Sequence, residues 1–200
     1  EKVFDCGHRI RSQDLGFLAS IGITKIPVFR KLKVAVFSIG NEITEPGESL
    51  DKASIYDSNR FSLMSFIKNL QCDVSDFGIL SDDISKLRST ITNLAGAYDI
   101  VISSGGVSEG DTDYVRKIIE SDASLCIYNV SIKPGKPLLI GNMNNTTIIA
   151  LPGNPVAMVV TFILLARPLI LRIAGATKIF PQKFNVKSGF EFNRKSNRRE

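Results

Sequence analysis

The sequence contains no tryptophan and only one histidine, His8, in 200 residues. A single imidazole argues against acid–base or metal chemistry built on histidine, and we expect His8 to lie at the surface. The three cysteines are odd in number, lie far apart and form no CxxC pair. Neither a disulfide framework nor a zinc site is therefore predicted. This cysteine usage favours a reducing compartment, and we expect a cytoplasmic protein.

Long hydrophobic runs and a strong charge excess are also missing. The longest apolar stretch, 156–166, is too short to span a bilayer, so we expect no membrane insertion. The formal net charge is +5, and no basic stripe is interleaved with aromatic residues, so we expect no nucleic-acid partner. This modest positive charge suits an anionic small-molecule ligand. A composition of 44% hydrophobic residues is enough to form the core of one full domain.

The hydrophobic pattern alternates between strands and helices along most of the chain. Apolar runs at 32–39, 74–80 and 99–102 predict buried strands, and each is followed by an apolar pattern of helical spacing. For the first of these helices we predict a buried face of Phe61, Met64, Ile67 and Leu70. The alternation predicts an α/β fold, a doubly wound and mainly parallel sheet with helices on both faces.

Two more strands and a long helix follow this alternation. The strands, 138–140 and 146–151, flank an Asn-rich hairpin turn. A nearly all-apolar helix from Pro155 to about Ala174 is predicted to be buried and to kink at Pro168. We divide the chain into a connector or end of a preceding domain at 1–30, the α/β domain at 31–176, and the start of a truncated C-terminal β domain at 177–200. We expect the chain to be a fragment of a longer protein.

The stretch 103–113 joins the third strand to a helix and carries the strongest functional signal. Its three glycines let backbone N–H groups approach a ligand; they are Gly105, Gly106 and Gly110. A helix N-terminus favours an anion. Asp111 and Asp113 would repel a bare anion, so an anion bound here is expected to come with a divalent metal. The alternative is that the polar run 111–113 only caps the following helix.

Other loops carry charged residues at the same predicted edge. Glu42 follows the first strand, and Asp82 with Asp83 follows the second, either as helix-start residues or as ligands. Lys133 and Lys136 flank a Pro-Gly turn, where they either meet a phosphate or stay solvated.

Six stretches occur together in an order that points to one family. They are Ser38-Ile39-Gly40-Asn41-Glu42 with Pro46-Gly47, Tyr56-Asp57-Ser58-Asn59, Asp82-Asp83, the run 104–113, Lys133-Pro134-Gly135-Lys136-Pro137, and Leu151-Pro152-Gly153-Asn154-Pro155-Val156. In this order they resemble the molybdopterin molybdenumtransferases, the MoeA/gephyrin E-domain family. The resemblance covers about residues 30–176.

The resemblance implies that the protein inserts molybdate into adenylylated molybdopterin, using Mg²⁺ and releasing AMP. It implies that Glu42, Asp82 and Asp113 are the catalytic and metal-binding carboxylates. The substrate-binding residues that we predict lie on the loops already described: Ser104, Gly105, Gly106, Ser108, Gly110, Asp111, Asn59, Lys133, Lys136, Gly153 and Asn154.

The resemblance also implies a homodimer and makes the molybdopterin adenylyltransferase a candidate partner. In this family another domain of the partner subunit completes the site, so we expect this chain alone to bind ligand without turnover. The sequence departs from the family pattern at Asn41, where the family usually has Asp, at Glu109, where it has a small apolar residue, and near Asn129, where a basic residue is common.

Three other functions stay open on the residues alone. The same core domain occurs in molybdopterin adenylyltransferases, and the competence-damage-type nucleotide pyrophosphohydrolases share the fold. A non-catalytic, dimerising scaffold is the third. The flanking segments and the Tyr56-Asp57-Ser58-Asn59 stretch favour molybdate insertion.

Overall fold

The computed structural model describes residues 2–107, 114–187, 189–191 and 198, and organises them around one six-stranded sheet. The helices are α1 (Ser12–Ser20), α2 (Asn59–Asn69), α3 (Ile84–Leu94), α4 (Tyr114–Asp122), α5 (Pro155–Thr161) and α6 (Arg167–Ile173). The strands are β1 (Lys33–Ile39), β2 (Ile43–Thr44), β3 (Ile55–Tyr56), β4 (Asp73–Leu80), β5 (Ile100–Ser104), β6 (Ser124–Tyr128), β7 (Leu139–Met143) and β8 (Thr146–Leu151).

The strand order in the main sheet is β4-β1-β5-β8-β7-β6. β1 pairs in parallel with β4 and β5, and β5 pairs in parallel with β8, whereas β7 and β6 add to the sheet as antiparallel strands. This mostly parallel sheet with helices on both faces confirms the predicted α/β fold. The carboxyl ends of β4, β1, β5 and β8 therefore lie along one edge, where ligands bind in such sheets.

The core lies on both faces of the sheet because the strands at its centre are apolar at successive positions. In β1, Val34 and Val36 join the cluster that contains residues of α2 and α6, while Ala35 and Phe37 join the cluster that contains residues of α3 and α4. This alternation is the period-2 geometry of a strand covered on both sides.

The buried face of α2 differs from the predicted one. Phe61 is 44% exposed, and the buried positions are Arg60, Leu63 and Ile67, together with Asn59 at the first turn. Met64 and Leu70 only pack at the margin of the core. The prediction placed the apolar residues on the buried face. The helix instead buries a guanidinium, because that group pairs with three carboxylates there.

The apolar stretch from Pro155 to Ile173 forms a 19-residue helix in which a π-helical turn, Phe162–Ala166, separates α5 from α6. Pro168, which has no N–H to donate, lies two residues after the end of that turn, at the second position of α6. The helix has the predicted extent, and by length and composition it could cross a membrane. Met158, Phe162 and Ile170 are buried in the core, and we interpret it as a core helix.

His8 lies at the surface but is half-buried, with 30% of its side chain exposed. Its Nε2 lies 2.8 Å from Asp14 Oδ2, and its ring stacks on Phe4 with centroids 4.6 Å apart. Thr177 N donates to Gly7 O at 3.3 Å, so the segment around His8 lies against the end of α6. Residues 181–187, within the segment assigned to the start of a C-terminal β domain, have no regular secondary structure. The three-part division of the chain stays a prediction.

Candidate functional site

Loops from four parallel strands meet at the carboxyl edge of the sheet. They follow β1, β4, β5 and β8, which are neighbours in the sheet. Residues from positions as far apart as 41 and 153 are thereby brought to one edge. The described part of the candidate site is built from these loops and from the first turn of α2.

Asn59 joins two of the loops through its side chain. Its Nδ2 donates to Ser104 Oγ at 2.9 Å and to the Gly153 carbonyl at 2.7 Å. Asn59 is 8% exposed and Ser104 is buried. The predicted residues Asn59, Ser104 and Gly153 are thus in direct contact, and the carboxamide fixes the loop after β5 against the loop after β8.

The glycine loop needs glycine for steric reasons. Gly105 has φ +85°, and a Cβ there would lie 2.5 Å from the Ile39 carbonyl oxygen. Its N–H donates to the Leu151 carbonyl at 2.9 Å, which ties β5 to the end of β8. Gly106, with φ +76°, would place a Cβ 2.8 Å from Val115 Cγ2. The positive φ predicted for these glycines is confirmed, whereas the approach of their N–H groups to a ligand stays a prediction.

Asp82 and Asp83 have different roles. Asp83 is the N-cap of α3, since its Oδ1 accepts from Ser85 N at 2.9 Å and from Lys86 N at 3.0 Å. These backbone hydrogen bonds lower the pKa of Asp83, the bond from Lys86 most strongly. Asp82 instead faces Asn41, because each side-chain oxygen lies 3.4 Å from the other residue's backbone N. Of the two interpretations of this pair, helix start or ligand, Asp83 fits the first. Asp82 lies in the loop at the edge of the sheet and does not cap the helix.

Glu42 and Asp82 lie on adjacent loops, because β1 and β4 are neighbours. The Glu42 carboxylate folds back over Gly40, where a Cβ would lie 2.7 Å from Oε2. Within the described ranges no group of three or more histidine, cysteine or acidic side chains is arranged to hold a metal. Two carboxylates nevertheless suit Mg²⁺, which binds one or two of them together with substrate phosphates.

Four predicted site residues lie outside the described residues: Ser108, Gly110, Asp111 and Asp113. The expectation that Asp113 completes a carboxylate set with Glu42 and Asp82 stays a prediction. The same holds for the alternative that the run 111–113 caps the following helix.

The Lys133–Lys136 turn packs on α5. The Lys133–Pro134 peptide is cis, and Gly135 has φ +111°. A Cβ on Gly135 would lie 2.7 Å from Thr161 Cγ2, so glycine allows the turn to approach the helix closely. Lys133 is exposed and Lys136 is half-buried. The turn between the two lysines is confirmed.

Asn154 is the N-cap of α5. Its Oδ1 accepts from Ala157 N at 3.1 Å, and Pro155 occupies the first helical position. The side-chain oxygen therefore already accepts a hydrogen bond, and the side-chain NH₂ group of Asn154 is left for a ligand.

Arg60 is the residue that the sequence interpretation missed. It is 2% exposed, and its guanidinium donates to Asp57 Oδ2 at 2.8 Å and forms ion pairs with Asp76 and Glu45. Burial disfavours the charged form, but the hydrogen bonds to these three carboxylates raise the pKa of Arg60 above its ordinary value. The sequence carried one signal for this role: Arg60 precedes Leu63 by three residues and Ile67 by seven, and it follows Asp57 by three.

The network around Arg60 fixes the start of α2. Asp57 lies just before the helix, Asp76 lies on β4, and Glu45 follows β2. Asp57 also accepts from Arg60 N at 3.1 Å. Because Asn59 lies between Asp57 and Arg60, these contacts hold the backbone from which its carboxamide extends.

Comparison with known proteins places this arrangement in a family context. Residues 35–172 match the family model described as a probable molybdopterin binding domain. The chain is 38% identical over 173 residues to a molybdopterin molybdenumtransferase of Haemophilus influenzae, covering 86% of this chain and 43% of that protein. It is 36% identical over 174 residues to a molybdopterin molybdenumtransferase of Nostoc sp., covering 85% of this chain and 40% of that one.

A solved structure shows the same architecture. The molybdopterin biosynthesis MoeA protein of Pyrococcus horikosii superposes with a TM-score of 0.74 at 36% identity, covering 84% of this chain and 42% of that chain. The chain thus spans less than half the length of these relatives.

Proposed function

This chain belongs to the family of probable molybdopterin-binding domains, and on that premise we propose that it binds adenylylated molybdopterin during molybdenum cofactor biosynthesis. In the longer protein to which such a domain belongs, the reaction we propose is the insertion of molybdate with release of AMP. The observation that carries the proposal is the contact of Asn59 with Ser104 and Gly153 at the carboxyl edge of the sheet.

The chemistry of this edge suits a pterin nucleotide. We propose that the glycine loop, in which Gly105 and Gly106 carry no side chains, receives the phosphate groups. Lys133 and Lys136 add positive charge on the neighbouring turn. We propose that Glu42, Asp82 and Asp113 hold Mg²⁺, which would polarise the phosphoanhydride when bound. Asp82 is held for this role by its reciprocal contact with Asn41.

Calorimetric titration with adenylylated molybdopterin, with and without Mg²⁺, tests the proposal. We expect binding that weakens without Mg²⁺ and in Asp82→Ala. Asp73→Ala is the matched control, because Asp73 is an exposed carboxylate at the opposite end of β4. It should bind as the unaltered chain does. Failure to bind the pterin nucleotide would contradict the proposal, and binding of ADP-ribose instead would favour a nucleotide pyrophosphohydrolase.

We also propose a homodimer in the cytoplasm, with the molybdopterin adenylyltransferase as the enzyme that supplies the adenylylated substrate. Large apolar side chains on the outer side of the long core helix support a protein interface: Val156, Ile163, Leu164 and Ile173 are exposed. Sedimentation equilibrium should give twice the chain mass. A monomer at all concentrations would contradict this proposal.

A further inference from the structure

The orientation of the Asn59 carboxamide is fixed by its partners. The Gly153 carbonyl can only accept a hydrogen bond, and it lies 2.7 Å from one end of the amide. That end must be the NH₂ group. Its second hydrogen is directed to Ser104 Oγ at 2.9 Å. Both donors of Asn59 are therefore used within the protein.

The other end of the carboxamide is left without a hydrogen bond. Asn59 Oδ1 is a buried atom with no partner among the residues that the structure describes. Asn59 as a whole is more than nine-tenths buried. A buried acceptor without a donor is unfavourable, so a group from outside the described chain is expected to supply one.

A second polar atom without a partner lies at the same edge. Ser38 Oγ is fully buried and has no hydrogen bond within the described ranges. Ser38 is the register partner of Ser104 on the adjacent parallel strand, so the two backbones are about 5 Å apart. Ser38 continues the β1 positions Val34 and Val36, which belong to the core cluster that α2 also joins. Ser38, Ser104 and Asn59 therefore lie on one face of the sheet.

We infer that Asn59 Oδ1 recognises an N–H donor on the pyrimidine edge of the pterin ring, and that this corner of the site does not bind a phosphate or an oxyanion. The inference rests on the proposed function and deepens it. Phosphate and molybdate oxygens act as acceptors toward the protein, and the side chain of Asn59 has no donor left for them. A pterin carries a 2-amino group and an N3–H beside a carbonyl oxygen, and Ser38 can donate to that oxygen.

This division assigns the two ends of the ligand to different loops. The ring lies at Asn59 and Ser38, where the unpaired polar atoms are buried and uncharged. The anionic groups lie toward the glycine loop and the lysine turn. Asn59 thus acts in specificity, because it distinguishes a pterin from a ring without those donors.

Three probes test the inference by fluorescence titration of the chain. They are pterin-6-carboxylate, lumazine-6-carboxylate, in which oxygen replaces the 2-amino group, and 3-methylpterin-6-carboxylate, in which N3–H is blocked. We expect pterin-6-carboxylate to bind about tenfold or more tightly than at least one of the other two. Asn59→Leu should bind all three equally, at the weaker level.

Asn69→Leu is the matched control, since Asn69 is exposed at the other end of α2. It should keep the affinities and the preference of the unaltered chain. Equal binding of all three probes by the unaltered chain would overturn the inference and leave the proposed function standing, with water as the partner of Oδ1. A preference retained in Asn59→Leu would also overturn it. Binding of none of the probes would count against both. The comparison of probes on the unaltered chain decides the matter even if Asn59→Leu does not fold.

Discussion

At the scale of single residues, Arg60 shows that a charged side chain can be buried in the core as fully as a leucine side chain. A cation at a helix N-terminus opposes the helix dipole, and a guanidinium loses hydration on burial. Arg60 is held there because Asp57, Asp76 and Glu45 come from three separate segments and converge on it. The side chain of Asp57 is 1% exposed, so it depends on this arginine.

We predict that Arg60→Met lowers the free energy of unfolding by about 3–5 kcal/mol, because the Asp57 carboxylate would be left buried without a counter-ion. Arg116→Met is the matched control. Arg116 pairs with Glu120 at 2.7 Å on an exposed helix face, and its loss should cost about 1 kcal/mol or less. Urea denaturation measures both. Equal losses in the two variants would show that burial of Asp57 does not matter.

A comparison of Gly105 with Gly96 separates the steric cost of a side chain from the cost of placing that side chain on a backbone with positive φ. Gly105→Ala should destabilise the protein by about 1–3 kcal/mol more than Gly96→Ala. Both residues have φ between +85° and +89°, but a Cβ on Gly96 meets nothing within 4 Å, whereas on Gly105 it meets the Ile39 carbonyl at 2.5 Å. Thermal unfolding of the two variants gives the difference. If they unfold alike, the close approach of β1 to the glycine loop is not rigid.

At the scale of elements, Asp99 connects the segment before β1 with the start of β5. Its Oδ2 accepts from Arg30 Nη1 at 2.7 Å and from Lys33 N at 2.8 Å. The hydrogen bond from Arg30 lowers the pKa of Asp99 most, with a smaller contribution from Lys33 N, while partial burial opposes the shift. Because the folded pKa is lowered, the carboxylate stabilises the fold fully above its unfolded pKa of about 3.9. That stabilisation is lost as the pH falls through the folded value.

We therefore predict that Asp99→Asn destabilises the protein at pH 7 and that the gap to the unaltered chain closes as the pH falls below about 4. Urea unfolding at pH 7, 5, 4 and 3 measures this gap. A gap of constant size across this range would show that the charge of Asp99 does not stabilise the junction.

Elements were predictable from sequence where one local pattern decided them. The strands that became β1, β4, β5 and β8 are short apolar runs, and the caps of α3 and α5 are polar residues before helical patterns. The inward face of α2 was not predictable from apolar spacing, because its position depends on Asp76 and Glu45. The π-helical turn before Pro168 and the pairing of β6 with β7 depend on how distant segments pack.

The candidate site likewise has features that a local pattern predicts and features that depend on distant contacts. Its glycines, its lysine turn and the position of Asn59 were predictable from motifs and from the resemblance. The contact of Asn59 with Gly153 joins residues 94 positions apart, so no local pattern could reveal it. Nor could the sequence show that the amide hydrogens of Asn59 are already used, since that follows only from the distances.

At the scale of the whole molecule, the last helix of the described residues ends at Ile173, and the chain continues without regular structure to 187. Three lysines in this segment are exposed: Lys178, Lys183 and Lys187. Exposed chain without backbone pairing is the preferred substrate of proteases. We predict that brief trypsin treatment cleaves at these lysines before it cleaves within the helices.

Mass spectrometry of the early fragments tests this order of cleavage. Lys68 and Lys86 serve as internal controls, because both are exposed but lie in α2 and α3. Early cleavage after either of them would show that these helices open more readily than the segment that follows the core.

The contact of Asn59 with Gly153 also bears on the order of events during folding. Two residues so far apart along the chain meet only after α2, β5 and β8 have come together, and contacts of this kind form late. A ligand held between these loops therefore meets its full set of partners only in molecules that have already completed the sheet. The ligand should therefore act mainly by slowing unfolding and should do little to speed folding. Ligand present in the cell would then extend the lifetime of the folded protein without acting as a template for it.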